Sequence, residues 1–125
     1  GKEVKTEVII NSSTRLIERF KELAVLYIIK AKALARVKKY QDSEETLLQS
    51  LKCKVLSPYD KIHIYSDLAY IYVKMKNKDK ARECALKNIK LIEELSCKYS
   101  CGDKTGKICR DMKRLVKKSS LKKLK

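Results

Sequence analysis

Glycine and proline are nearly missing from this chain: 125 residues contain three Gly and one Pro, with no Trp and a single Phe and His. An all-β fold needs many turns with special backbone angles, which Gly and Pro supply. Their scarcity argues against a sandwich or barrel and for long helices. No run approaches the roughly 18 apolar residues that span a membrane as a helix. Acidic residues are scarce too, 15 Asp+Glu against 31 Lys+Arg, for a net charge of +16. The only histidine, His63, has no evident nucleophile and orienting third group beside it. No acid, base and nucleophile converge in the sequence, so an enzyme is not expected.

What is present suits one folded domain. The apolar content is 44%, and a chain of this length buries roughly two thirds of its unfolded surface. The positive charge is uneven: residues 101–125 hold 10 basic and 2 acidic residues, half of the net excess. Lys113, Arg114, Lys117, Lys118, Lys122 and Lys123 form a run there. Such a run binds nucleic-acid phosphate, acts as a nuclear import signal, sits on acidic lipid, or is simply a solvated tail. No aromatic follows Tyr99, so base stacking is not expected. Nucleic-acid binding through this run would be sequence-independent and salt-sensitive.

The five cysteines are Cys53, Cys84, Cys97, Cys101 and Cys109. Their odd number points to a reducing intracellular compartment, cytoplasmic or nuclear. Cys53 and Cys84 fit as small packing residues. Cys97, Cys101 and Cys109 leave three readings: zinc with His63 or Cys84 as fourth ligand, a Cys101–Cys109 disulfide, or reduced packing cysteines. The spacing is not CxxC and has no second pair, so packing is the expectation and no metal or cofactor is assigned. Gly102-x3-Gly106-Lys107 lacks the spacing of a phosphate loop and no strand precedes it. The chain begins with Gly, consistent with a piece of a longer protein.

Periodicity divides the chain into helices. Residues 1–13 read as an arm or the end of a preceding helix. Asn11-Ser12-Ser13-Thr14 offers caps, and apolar residues from Leu16 to Ala35 then recur at three- and four-residue steps, predicting one helix over about 14–37. Asp42-x-x-Glu45 starts a second helix whose stripe is Leu47, Leu48, Leu51 and, at its end, Val55. Ser57-Pro58-Tyr59-Asp60 is the clearest start signal, with Ser as cap, Pro at the first helical position and Asp in the first turn. That third helix runs to about Met75, and a fourth covers about 80–95 or beyond. Ile108, Met112 and Leu115 lie on one face of a capping helix over about 105–118, and 119–125 is a basic tail.

Tyr65, Leu68, Ala69 and Tyr72, followed by Ala81 and Ala85, put small and large apolar residues at the spacing that locks two antiparallel helices. This pattern resembles the tetratricopeptide repeat, with repeats over about 24–56 and 57–95. The first repeat matches through Tyr27, Ala31, Leu34, Tyr40 and Leu47. It departs at Lys30, where Leu is expected, and at Ser43, where Ala is expected; Ala85 replaces a bulkier aromatic in the second. The small positions Ser43 and Ala81 are 38 residues apart.

The resemblance implies an all-α solenoid of helix hairpins, about five helices in residues 14–118. It also implies a concave groove for a peptide or partner helix. Carried over position by position, Lys32 and Arg36 of the first helix and His63, Ser66, Tyr70 and Lys74 of the third would line it. This surface is basic with one aromatic and suits an acidic protein segment or carboxylate. The Asn-containing clamp by which some members hold chaperone tails has no counterpart here. Self-association through exposed ends is a further expectation. Ala69→Leu should overpack the close helix contact and cost about 1–3 kcal/mol; a thermal melt matching wild type would remove the basis for the repeat.

Overall fold

The computed structural model describes residues 2–98 and, beyond them, Met112 and Arg114. Five helices follow one another: α1 (Lys2–Arg19), α2 (Ala24–Arg36), α3 (Tyr40–Ser50), α4 (Pro58–Lys74) and α5 (Lys78–Lys98). The fold is all-α, and no strand is present among the described residues.

The expected single helix over about 14–37 is two helices, α1 and α2. Of the two readings of residues 1–13, an arm or the end of a helix, the helical one fits: from Lys2 onward they belong to α1, which runs on past residue 13 to Arg19. Ser13 and Thr14 do not cap a helix start. Their hydroxyls donate backwards to the carbonyls of Ile9 (2.6 Å) and Ile10 (2.7 Å), which a mid-helix Ser or Thr does readily. The break comes at Phe20–Leu23. There Leu23 and Val55 form an isolated parallel bridge between the α1–α2 and α3–α4 connections. The Val55 amide donates to the Glu22 carbonyl (2.9 Å), and the Ala24 amide donates to the Val55 carbonyl (3.1 Å). The second bond satisfies a free amide at the start of α2, which has no side-chain cap. Val55 therefore lies in a connection and not on the second helix, which ends at Ser50.

The signal at Ser57 is realised in full. The Ser57 hydroxyl accepts from the Asp60 amide, and the Asp60 carboxylate accepts from the Ser57 amide, each at 3.0 Å. This reciprocal box opens α4 with Pro58 in its first turn. Both hairpin turns close with a left-handed residue, Lys38 (φ 63°) and Lys76 (φ 61°). The following amides reach back five residues, Lys39 to the Leu34 carbonyl (2.9 Å) and Asn77 to the Tyr72 carbonyl (2.8 Å).

Within each hairpin, small residues occupy the close approach. Ser43 is fully buried and donates to the Ala31 carbonyl at 2.7 Å, joining α3 to α2. Ala69 and Ala81 are the corresponding pair in α4 and α5, both buried in the main core. Ile28, Leu47, Ile64, Leu68 and Ile71 fill that core, and Met112 packs into it. Each such side chain contributes roughly 1.5–3 kcal/mol by leaving water. Ile62, Ile92 and Leu95 form a second, smaller cluster. α2 packs on α1, α3 and α4, and α4 packs on α3 and α5. The Tyr72 hydroxyl donates to the Glu44 carboxylate, tying α4 to α3. The proposed capping helix over about 105–118 lies outside the described residues apart from Met112 and Arg114, both helical.

Ser43→Ala keeps the small volume but removes the hydrogen bond, an expected loss of about 1 kcal/mol in urea unfolding. Ser43→Leu adds bulk at the contact and should cost about 1–3 kcal/mol beyond that.

Candidate functional site

The bridge at Leu23 and Val55 brings the starts of α2 and α4 to the same end. Further along, Lys32 pairs with Asp67, and Arg36 shares a cleft with Tyr70 and Ile71. The two helices thus run side by side in the same direction. The cleft between them measures about 220 Å³. Ala31, Ala35, Ser43 and Ile71 form its floor, and Lys32, Arg36, Asp67 and Tyr70 stand around it. Small floor residues leave the space that a Leu or Phe would fill.

Three of the six expected groove residues therefore meet in one cleft: Lys32, Arg36 and Tyr70. Lys74 joins through Tyr70, its ammonium 5.5 Å from the ring centroid. Tyr70 itself is 53% exposed, so its ring is offered to solvent. His63 stands one turn before Asp67 on α4 and acts on it electrostatically. Ser66 is half-buried and does not line the cleft.

Sequence reasoning missed Asp67, and with it the charge balance of the site. Lys32 Nζ lies 2.9 Å from Oδ1 and 2.8 Å from Oδ2, so Lys32 is already paired. Burial raises the Asp67 carboxyl above its usual range, and Lys32 and His63 draw it only partly back. Arg36 is consequently the cation left to receive a new anion in the cleft. It also borders an open cleft of about 540 Å³ between α1 and α2, where Glu3 and Glu7 stand nearby. An acidic ligand is repelled on that side and admitted on the other.

A second omission is apolar. Val25 (47% exposed) and Ile29 (44%) precede Lys32 and Arg36 along α2 at steps of four, three and four residues. That helical spacing was readable and puts all four on one stripe. The exposed strip on α2 is thus apolar at its start and cationic at its end.

Among the described residues, the two cysteine side chains, Cys53 and Cys84, form no reactive centre. Cys84 is buried and its thiol is pushed up to about 11, chiefly by desolvation. Cys53 is half-buried, and burial with nearby Glu22 raises its thiol as well. The side chains of Cys97, Cys101 and Cys109 lie outside the described residues, as does the C-terminal basic run except Arg114, which is exposed. Among the described residues no cluster of His, Cys, Asp and Glu is placed to hold a metal ion, and no helix is long and apolar enough to cross a membrane.

Compared with known proteins, the chain matches no family model, no curated protein and no solved structure. The chemistry of the cleft is accordingly read from its own geometry.

Asp67 gives a pH signature. Because its folded-state carboxyl sits above the unfolded value of 3.8, the folded state holds the proton more tightly, and this group's contribution to stability falls as pH rises through that window. Asp67→Asn should be at least as stable as wild type at neutral pH, with the difference shrinking on acidification. Thermal melts from neutral pH down to about pH 4 would measure it.

Proposed function

We propose that this chain is a non-enzymatic docking module of tetratricopeptide-like helix pairs. In this reading α2 and α3 form one repeat, and α4 and α5 form the next. The groove between α2 and α4 receives an acidic segment or helix of a partner protein. The observation that carries the reading is the convergence of Arg36, Lys32 and Tyr70 on one cleft. Small residues at Ala31, Ser43, Ala69 and Ala81 support the repeat, because all four are buried at matching positions.

The mechanism is docking by shape and charge. A partner carboxylate pairs with Arg36, whose planar fork suits bidentate contact. Tyr70 supplies a flat amphipathic surface beside it, as aromatic anchors do in interfaces. Val25 and Ile29 take apolar side chains further along the same strip. Lys32, held by Asp67, orients the rim and adds little net attraction.

Capture from nuclease-treated lysate tests this. A discrete protein partner is expected with wild type. Tyr70→Ala should weaken it by about 2 kcal/mol, the size of an interface anchor, and Arg36→Glu should abolish it. Capture indifferent to both substitutions would overturn the reading.

A second reading rests on the charge of residues 101–125, with 10 basic against 2 acidic residues. The C-terminal run would then bind nucleic acid through its phosphates. Recovery that disappears between about 50 and about 200 mM salt, and in a chain ending at Lys118, would favour it.

A further inference from the structure

We propose that the end of the helix stack formed by the α2–α3 and α4–α5 turns is a second binding site, one that takes the phosphate backbone of a nucleic acid. It shares Arg36 and Lys74 with the end of the groove, and it uses none of the residues of the C-terminal run.

The topology creates this surface. α2 and α4 start together at the Leu23–Val55 bridge and run in the same direction. Their C-terminal turns therefore emerge together at the opposite end. The first turn carries Arg36, Lys38 and Lys39, and the second carries Lys74, Lys76, Lys78 and Lys80. All of these are exposed. Within residues 36–39 and 74–80 the only acid is Asp79. The pairs Lys32–Asp67 and Lys87–Glu83 involve no turn cation, while Lys74 lies over the Tyr70 ring and Lys80 over the Tyr72 ring. Glu3 and Glu7 of α1 approach Arg36 and Lys38 across an open cleft, so the positive track is strongest over Lys39, Lys76 and Lys78.

The cations repeat with the hairpin. Arg36 and Lys74 are 38 residues apart, as are Lys38 and Lys76, the same interval that separates Ala31 from Ala69 and Ser43 from Ala81. Neighbouring equivalents do not match in this way: Ile29 answers Asp67, Lys32 answers Tyr70, and Tyr40 answers Lys78. Charge is thus repeated where much of the surrounding surface is not.

The backbone supplies an independent observation. Lys38 and Lys76 sit in the left-handed region, at φ 63° and 61°. A turn serving only to reverse the chain uses Gly there, or Asn, because a Cβ is costly. The glycines of this chain are Gly1, Gly102 and Gly106, none of them in either turn. Both turns accept strain at the same position and place a lysine there, which is the pattern of a functional surface.

A phosphate backbone fits this array better than lipid or a protein surface. Packed helices lie about 8–10 Å apart, so the matched cations of the two turns stand one helix spacing from each other and can face more than one phosphate of a chain. Lysine is a mobile point charge that meets phosphates without demanding one geometry. Stable seating on lipid takes an apolar anchor beside the cations, and a protein interface has an apolar core. Here the well-exposed apolar side chains are the neighbours Val73 (43%) and Met75 (41%), both at the second turn, and the first turn has none.

The test uses the full chain and its K38G/K76G variant. Binding of a labelled oligothymidylate is followed by fluorescence anisotropy from about 50 to about 200 mM salt. Glycine relieves the left-handed strain, so the variant should melt at or above the wild-type temperature. Its binding should nevertheless weaken by about tenfold at the lower salt, with the slope of log K against log salt shallower by about 1.4–2, the loss of two phosphate contacts. Any contribution of the C-terminal run is common to both chains and cancels in the difference. K38R/K76R should restore the slope, and K38N/K76N should repeat the loss if glycine loosens the turns. Equal slopes in wild type and variant would overturn the site. So would loss of phosphatidylserine-vesicle binding in the variant while oligothymidylate binding stays unchanged.

Discussion

The close approach of helix backbones at Ala31 and Ser43, and at the matching Ala69 and Ala81, is the constraint on which the rest of this structure depends. A side chain larger than Ala or Ser at these buried positions would push the helices apart. With the approach kept, Leu47, Leu68 and Ile71 meet in one core. The same small residues shape the surface. Ala31, Ala35 and Ser43 are also the floor of the α2–α4 cleft. Packing on one side and open space on the other arise from the same economy of volume. The Ser43 hydroxyl adds what alanine cannot, a hydrogen bond from one helix to the backbone of the other.

The two hairpins are then joined by three polar links of different kinds. At one end the backbone bridge of Leu23 and Val55 fixes the connections to each other. In the middle the Tyr72 hydroxyl donates to Glu44, and burial together with that bond pushes its ionisation far above the usual tyrosine range. Lys80 lies over the same ring at 5.5 Å. On the groove side Lys32 and Asp67 pair across α2 and α4. The pair is half-exposed, so its value lies in fixing the register of the two helices more than in free energy. It also sets the charge of the cleft, leaving Arg36 free and Lys32 engaged.

Much of the second hairpin was legible in the sequence because its signals are local. Ser57, Pro58 and Asp60 specify a helix start through atoms a few residues apart, and the structure contains both bonds of that box. The first part of the chain was harder. Asn11 to Thr14 has the composition of a cap, but a hydroxyl can bond forward to a free amide or backward to a carbonyl. Here Ser13 and Thr14 bond backward. The break after Phe20 has no Gly or Pro to announce it and is set by a contact with Val55, far along the chain. The groove residues Lys32, Arg36 and Tyr70 followed from helical spacing. Asp67 did not, because a search for a basic surface passes over the acid that neutralises part of it. The exposed Val25 and Ile29 were passed over, since spacing identifies a stripe without saying that its neighbour on the open side is apolar too.

The bridge at Leu23 and Val55 gives the molecule a mechanical asymmetry. Its two hydrogen bonds join connections at one end of the helix stack, while the other end carries turns of like charge. A load that draws α2 from α4 stretches both backbone bonds together at the bridged end, where they share the force. At the far end no backbone bond joins the two turns among the described residues, and electrostatic pressure acts in the same direction as the load. Resistance to such a load is therefore concentrated at the bridged end, where two amide–carbonyl bonds act, and is lowest at the end that carries the lysine-bearing turns.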